Sequence, residues 1–147
     1  MDSIINRTHR LDSARSFLYG LLEAGWQTFA FIVAIRYFDA DINFKSLIAA
    51  AGPIGFLLTP ISLYFFASKK FSASLACALI YLVTACLLLG SISLKSIVVF
   101  GSCIIISQII NVQKGPVLLQ IYTTNYPANK RGHFMKVPHI LAATSAI

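Results

Sequence analysis

The chain has 147 residues, 57% of them hydrophobic, with 12 Lys and Arg against 5 Asp and Glu. Charged residues make up 12% of it, where a soluble domain carries about a quarter, so the composition argues against a water-soluble globular protein. The net charge of +7 would suit nucleic acid, but the charges cluster at the ends of apolar stretches, which excludes that partner and points to membrane topology.

Residues 1–15 read as a polar leader holding Arg7, Arg10 and Arg15, with Asp12 or Ser13 placed to cap a following helix. Four apolar stretches follow, Ser16–Tyr37, Lys45–Phe66, Ser72–Leu89 and Ile97–Tyr122. Each meets the roughly 20 residues that a helix needs to cross a bilayer core. The first is too long for a signal-peptide core, so an uncleaved helix is expected. In hydrocarbon the backbone must satisfy its own hydrogen bonds, which leaves helices or closed barrels. Barrel strands alternate apolar and polar residues, and Ala73–Leu89 does not. The second stretch carries Gly52-Pro53 and Pro60, which predict a bend, since proline lacks an amide donor and clashes with the preceding turn. The fourth contains Gly115-Pro116 and leads into a polar loop, Asn125–Lys136. The apolar segment Val137–Ile147 spans about 16 Å as a helix, half a bilayer core, and reads as a fifth helix cut short. The expected fold is therefore all-α, with residues 16–147 forming a polytopic transmembrane bundle of four spans plus a truncated fifth, and the chain is expected to be a fragment or a truncated product.

Orientation follows from the basic residues. Arg7, Arg10, Arg15, Lys69, Lys70, Lys130, Arg131 and Lys136 fall on one side, and Arg36, Lys45 and Lys95 on the other. The positive-inside rule puts the N-terminus, the 68–70 turn and the 125–136 loop in the cytoplasm of a multi-pass protein of a plasma or bacterial inner membrane. Lys69, Lys70, Lys130 and Arg131 are read as topology residues, the last two meeting anionic headgroups.

Two ionisable residues remain inside the spans, Glu23 and Lys114. A charge at the bilayer centre costs about 2.5–3.5 kcal/mol and marks function by default. Counted from their cytoplasmic ends, both lie roughly 12 Å deep, the condition for facing one polar cavity. Gly20, Glu23, Gln27, Ala30 and Ala34 form a small-and-polar stripe on the first helix, and Ser107, Asn111, Lys114 and Gly115 a comparable one on the fourth. Glu23, Gln27, Asn111 and Lys114 are thus the expected solute or ion path. Three plainer readings stand beside it: Gln27 and Asn111 as helix-packing glue, Lys114 snorkelling to the interface, and Glu23 as a protonated structural acid. Cys77, Cys86 and Cys103 lie inside spans and read as small packing residues. No metal-ligand spacing, nucleophile–base pair, paired carboxylates or phosphate loop is present, so neither a metal, a cofactor nor an enzyme is expected.

Gly115-Pro116, Ile121-Tyr122, Asn125-Tyr126-Pro127 and Arg131-Gly132 resemble the region joining helices 4 and 5 of the major facilitator superfamily. The topology resembles the first half of that family along nearly the whole chain, and the motif covers residues 115–132. The resemblance implies a secondary transporter moving a small solute with a coupling proton or ion, a missing remainder as partner, and a gating role for Arg131. Helices 1 and 4 would line its central cavity, and this portion would not transport alone. The family's glycines and acid between helices 2 and 3 are absent from Tyr64–Ser72, where only Lys69-Lys70 survives. Two other readings remain: a self-contained four-helix exporter with Glu23 as its working carboxylate, and a non-transporting membrane accessory protein.

Overall fold

The computed structural model describes residues 2–68, 72–93 and 95–147. Lys69 and Lys70 lie outside the described residues. Among those described every regular element is helical: α1 (Asp2–Ala24), a π-helical turn (Gly25–Phe29), α2 (Ala30–Arg36), α3 (Ile42–Ser68), α4 (Ala73–Ser93), α5 (Ile97–Val112), α6 (Lys114–Asn125) and α7 (Arg131–Ser145).

Three helical segments are long and apolar enough to cross a membrane: Ile42–Phe66, Ala73–Ser93, and Ile97–Asn125 made of α5 and α6. The first expected span is built differently. Its helix begins at Asp2, so Asp12 lies in mid-helix rather than at a cap, and the charged leader becomes part of α1. The π-helical turn then separates α1 from the seven-residue α2. The expected loop 125–136 is also shorter, because α7 already starts at Arg131.

Local chemistry accounts for the helix ends. α2 closes with the Ala40 amide donating back to the Ala34 carbonyl at 2.9 Å, while Asp39 takes the left-handed conformation at φ 48°. Asp39 thus takes the left-handed position that Gly usually fills just past a helix end, turning the chain back over the last carbonyls of α2. Asp41 caps α3: its carboxylate accepts from the Asn43 amide at 3.3 Å and from the Asn43 side chain at 2.8 Å. The donated backbone bonds of Ile42 and Asn43 hold its carboxyl below the usual range. Ser72 caps α4 through the Leu75 amide at 3.3 Å. α3 stays helical across Pro53 and Pro60.

The chain divides into two compact units, residues 1–29 with 120–147, and residues 30–119. In the first, α1 packs on α7. A Cβ on Gly20 would stand 1.9 Å from Ser145 Oγ and 2.2 Å from the Ala142 carbonyl oxygen, so glycine permits this crossing. The Ser145 hydroxyl donates to the Phe17 carbonyl at 2.8 Å. In the second unit α5 packs on both α3 and α4. Gly101 lies under the Phe44 ring, and a Cβ on Gly55 would come within 3.0 Å of Val112 Cβ. Small residues at such contacts let helices approach where lipid supplies no hydrophobic drive. Ile48, Ala51, Ala76, Ile80 and Ser107 fill the centre, while Phe56, Leu57, Ile61, Tyr64, Leu82, Leu89 and Ile92 stay exposed on the spans. Such exposure suits hydrocarbon and would be costly in water.

Candidate functional sites

The first unit holds a buried polar network that the sequence reading missed. Asp12, 6% exposed, is its centre. Its Oδ1 accepts from Arg15 Nε at 2.8 Å, Arg15 Nη2 at 2.6 Å and the Tyr122 hydroxyl at 2.9 Å. Arg15 Nη2 also donates to Ser16 Oγ at 2.9 Å and to the Tyr122 oxygen at 3.2 Å. Asn125 Nδ2 donates to Thr8 Oγ1 at 3.1 Å. An aromatic stack extends the cluster: Tyr122 lies on Tyr126 with centroids 5.7 Å apart, Tyr126 on Phe134 at 5.1 Å, and His9 meets the Phe134 edge at 5.8 Å.

In sequence Arg15 reads as a topology charge, Asp12 as a cap and Tyr122 as a helix end. Asp12 and Arg15 are three residues apart and Tyr122 and Tyr126 four apart, so each pair shares a helix face. That spacing was visible, but the pairing across 110 residues was not.

The network is incompletely satisfied. His9 Nδ1, Asp12 Oδ2, the Tyr126 hydroxyl and Arg131 Nε are buried without a hydrogen-bond partner among the described residues. Buried polar atoms are almost always paired with protein or water, so these four are positions for ordered water. Burial pushes the Tyr126 phenol up to about 12, with the Asp12 charge adding and Arg15 opposing. Tyr126 therefore keeps its proton throughout the physiological range. Arg131 Nη2 makes a long contact of 3.4 Å to the Thr123 carbonyl, whereas Lys130 is exposed.

Glu23 belongs to the same unit. It is half-buried one residue before the end of α1 and accepts a hydrogen bond from the Tyr19 hydroxyl one turn earlier. Gln27 follows on the π-helical turn, its side chain outside those described. π-turns cost backbone regularity and recur at functional positions.

The second unit carries the other stripe. Ser107 is fully buried, Asn111 2% exposed and Lys114 8% exposed, at spacings of four and three. The Ser107 hydroxyl donates to the Ile104 carbonyl at 2.8 Å. Asn111 Oδ1 is buried without a hydrogen-bond partner among the described residues. Lys114 opens α6 just after the chain breaks helical pairing at Gln113, where Gly115 and Pro116 weaken the helix. Its burial leaves little of the amine to snorkel. Helix-packing glue is realised at Gln113. Its Oε1 accepts from Ser62 Oγ at 2.6 Å, and its Nε2 donates to the Gly55 carbonyl at 2.7 Å and the Ile109 carbonyl at 3.0 Å. Gln113 thus clamps α3 against the α5–α6 junction, while Asn111 keeps an unspent acceptor.

Among the described residues no three His, Cys, Asp or Glu gather as a metal site. No protein-family model, no curated protein and no solved structure matches this chain.

Proposed function

We propose that this chain forms part of a secondary transporter of the major-facilitator type, moving a small solute across a membrane with its N-terminus in the cytoplasm. In this reading α1 from Ser16, the π-turn and α2 make a further span. Residues 16–36 rise about 31 Å, enough for a bilayer core. α7 is a fifth helix of that bundle. Glu23, Gln27, Asn111 and Lys114 supply the solute or ion path, and Arg131 with the Asp12–Arg15–Tyr122 network works at the cytoplasmic end.

The observation that carries the proposal is the pair Asn111 and Lys114, one turn apart and buried within the apolar segment Ile97–Asn125. Ionisable and polar groups persist in such a segment only where they meet protein, water or a passing solute. The likeness of residues 115–132 to the helix 4–5 region of that family supports the same assignment.

Cysteine scanning tests it. In a background lacking Cys77, Cys86 and Cys103, Asn111→Cys and Lys114→Cys are expected to react with a water-soluble thiol reagent at rates far above Leu57→Cys. Equal inertness at all three positions would remove the watery path. Asp41→Cys is expected to react from outside intact cells, and reaction only from the cytoplasmic side would reverse the orientation. A Glu23→Gln, Lys114→Met double-mutant cycle tests whether the two ionisable groups act together.

A further inference from the structure

The second unit contains a cavity of about 380 Å³ lined by Val33, Phe38, Ile92 and Phe100, with Tyr37, Lys95 and Ser91 as its polar members. The Ser91 hydroxyl is committed to the Leu88 carbonyl at 2.7 Å. The aromatic rings are ordered against one another, Tyr37 on the Phe38 edge at 4.8 Å and Phe38 against Phe100 at 5.3 Å. The volume lies within the range of small-molecule sites, about 300–1,000 Å³.

Its place in the fold narrows the occupant. Tyr37 follows α2 directly, and Lys95 sits between the end of α4 and the start of α5. Lys95 therefore marks the end of two spans, and Tyr37 lines the cavity beside it, at the level where tyrosine and lysine meet lipid headgroups. Val33, Ile92 and Phe100 lie within the helices and continue the groove toward hydrocarbon. Lys95 is exposed and makes no ion pair among the described residues. Arg36, Lys45 and Lys95 share this end with Asp39 and Asp41, and Asp41 is engaged in capping α3. The balance at the groove is positive.

We infer that this groove is a binding site for one anionic phospholipid, its phosphate on Lys95 and Tyr37 and an acyl chain against Val33, Ile92 and Phe100. The assignment needs only that α4 and α5 cross a membrane, and it stands whether or not the chain belongs to a transporter.

Native mass spectrometry of the full chain, released from detergent with an equimolar mixture of phosphatidylglycerol and phosphatidylcholine, tests it. The wild type is expected to retain one lipid with about a fivefold preference for phosphatidylglycerol, the factor that one lysine near a lipid surface supplies. Lys95→Gln should abolish the preference, and Lys45→Gln should leave it intact. Ile92→Trp should fill the groove and reduce retention of both lipids. Three results would each overturn the site: equal retention by the wild type, an undiminished preference in Lys95→Gln, or displacement of the lipid by inorganic phosphate alone.

Discussion

Replacing Asp12 with Ala should loosen the first unit by about 2–3 kcal/mol, and the magnitude follows from its bonds. Asp12 Oδ1 accepts two donors from Arg15 and one from Tyr122. Breaking a buried ion pair costs about 3–5 kcal/mol because one charge is left uncompensated. Here the stranded partner is Arg15, whose side chain is 22% exposed, so water reaches part of the guanidinium and lowers the cost. Tyr122→Phe removes the 3.2 Å bond accepted from Arg15 Nη2 as well as the bond donated to the charged Asp12 acceptor, the latter worth about 1.5 kcal/mol. The latter bond is lost in both single variants, so the double variant should be about 1 kcal/mol less damaged than their sum. The assay is reversible unfolding of the full chain in mixed detergent, followed by circular dichroism and tyrosine fluorescence. Additivity within about 0.5 kcal/mol would mean that Asp12 and Tyr122 do not share a bond that matters.

Gly20→Leu should cost about 1–3 kcal/mol by overpacking the α1–α7 crossing, whereas Gly132→Ala, with open space at its Cβ, should be neutral or stabilising in the same assay. Gln113→Leu should destabilise the second unit by about 1–2 kcal/mol through lost interhelical hydrogen bonds, with Ser62→Ala accounting for less than half; thermal unfolding in detergent reads both. Tyr126 should ionise near pH 12 rather than 10, visible as the 295 nm absorbance step lost in Tyr126→Phe. Its folded value is raised, so its contribution to stability is complete below pH 10 and disappears as pH rises through 12.

The apolar runs Lys45–Phe66, Ser72–Leu89 and Ile97–Tyr122 read directly onto α3, α4 and the α5–α6 segment, because length and hydropathy alone decide whether a helix can cross a bilayer. The first run did not read so simply. Polarity marks a membrane boundary but does not end a helix, and α1 continues upstream through Asp12 because Ile5, Asp12 and Ser16 find burial in the first unit. The start of α7 at Arg131 escaped for the same reason, since Lys136 and His133 looked like loop residues. Of the candidate site, the spacing of Ser107, Asn111 and Lys114 was legible as a shared face, and their burial agrees with it. Which amide would be spent on packing was not legible. Gln113 and Asn111 differ in side-chain length and in register against α3, and register depends on the close approach at Gly55.

The first unit joins the two ends of the described chain, and this dictates an order of assembly. Its hydrogen bonds link residues 110, 117 and 128 positions apart, through Asp12, Thr8 and Phe17. The second unit needs only residues 30–119. At a synthesis rate of about 5–20 residues per second, α1 waits on the order of 5–20 s for Tyr122 and α7 to emerge. During that interval its Asp12, Arg15 and Gly20 face is without its native mate. A chain ending at residue 119 would therefore carry every residue of the second unit and none of α7, leaving the polar face of α1 unmatched.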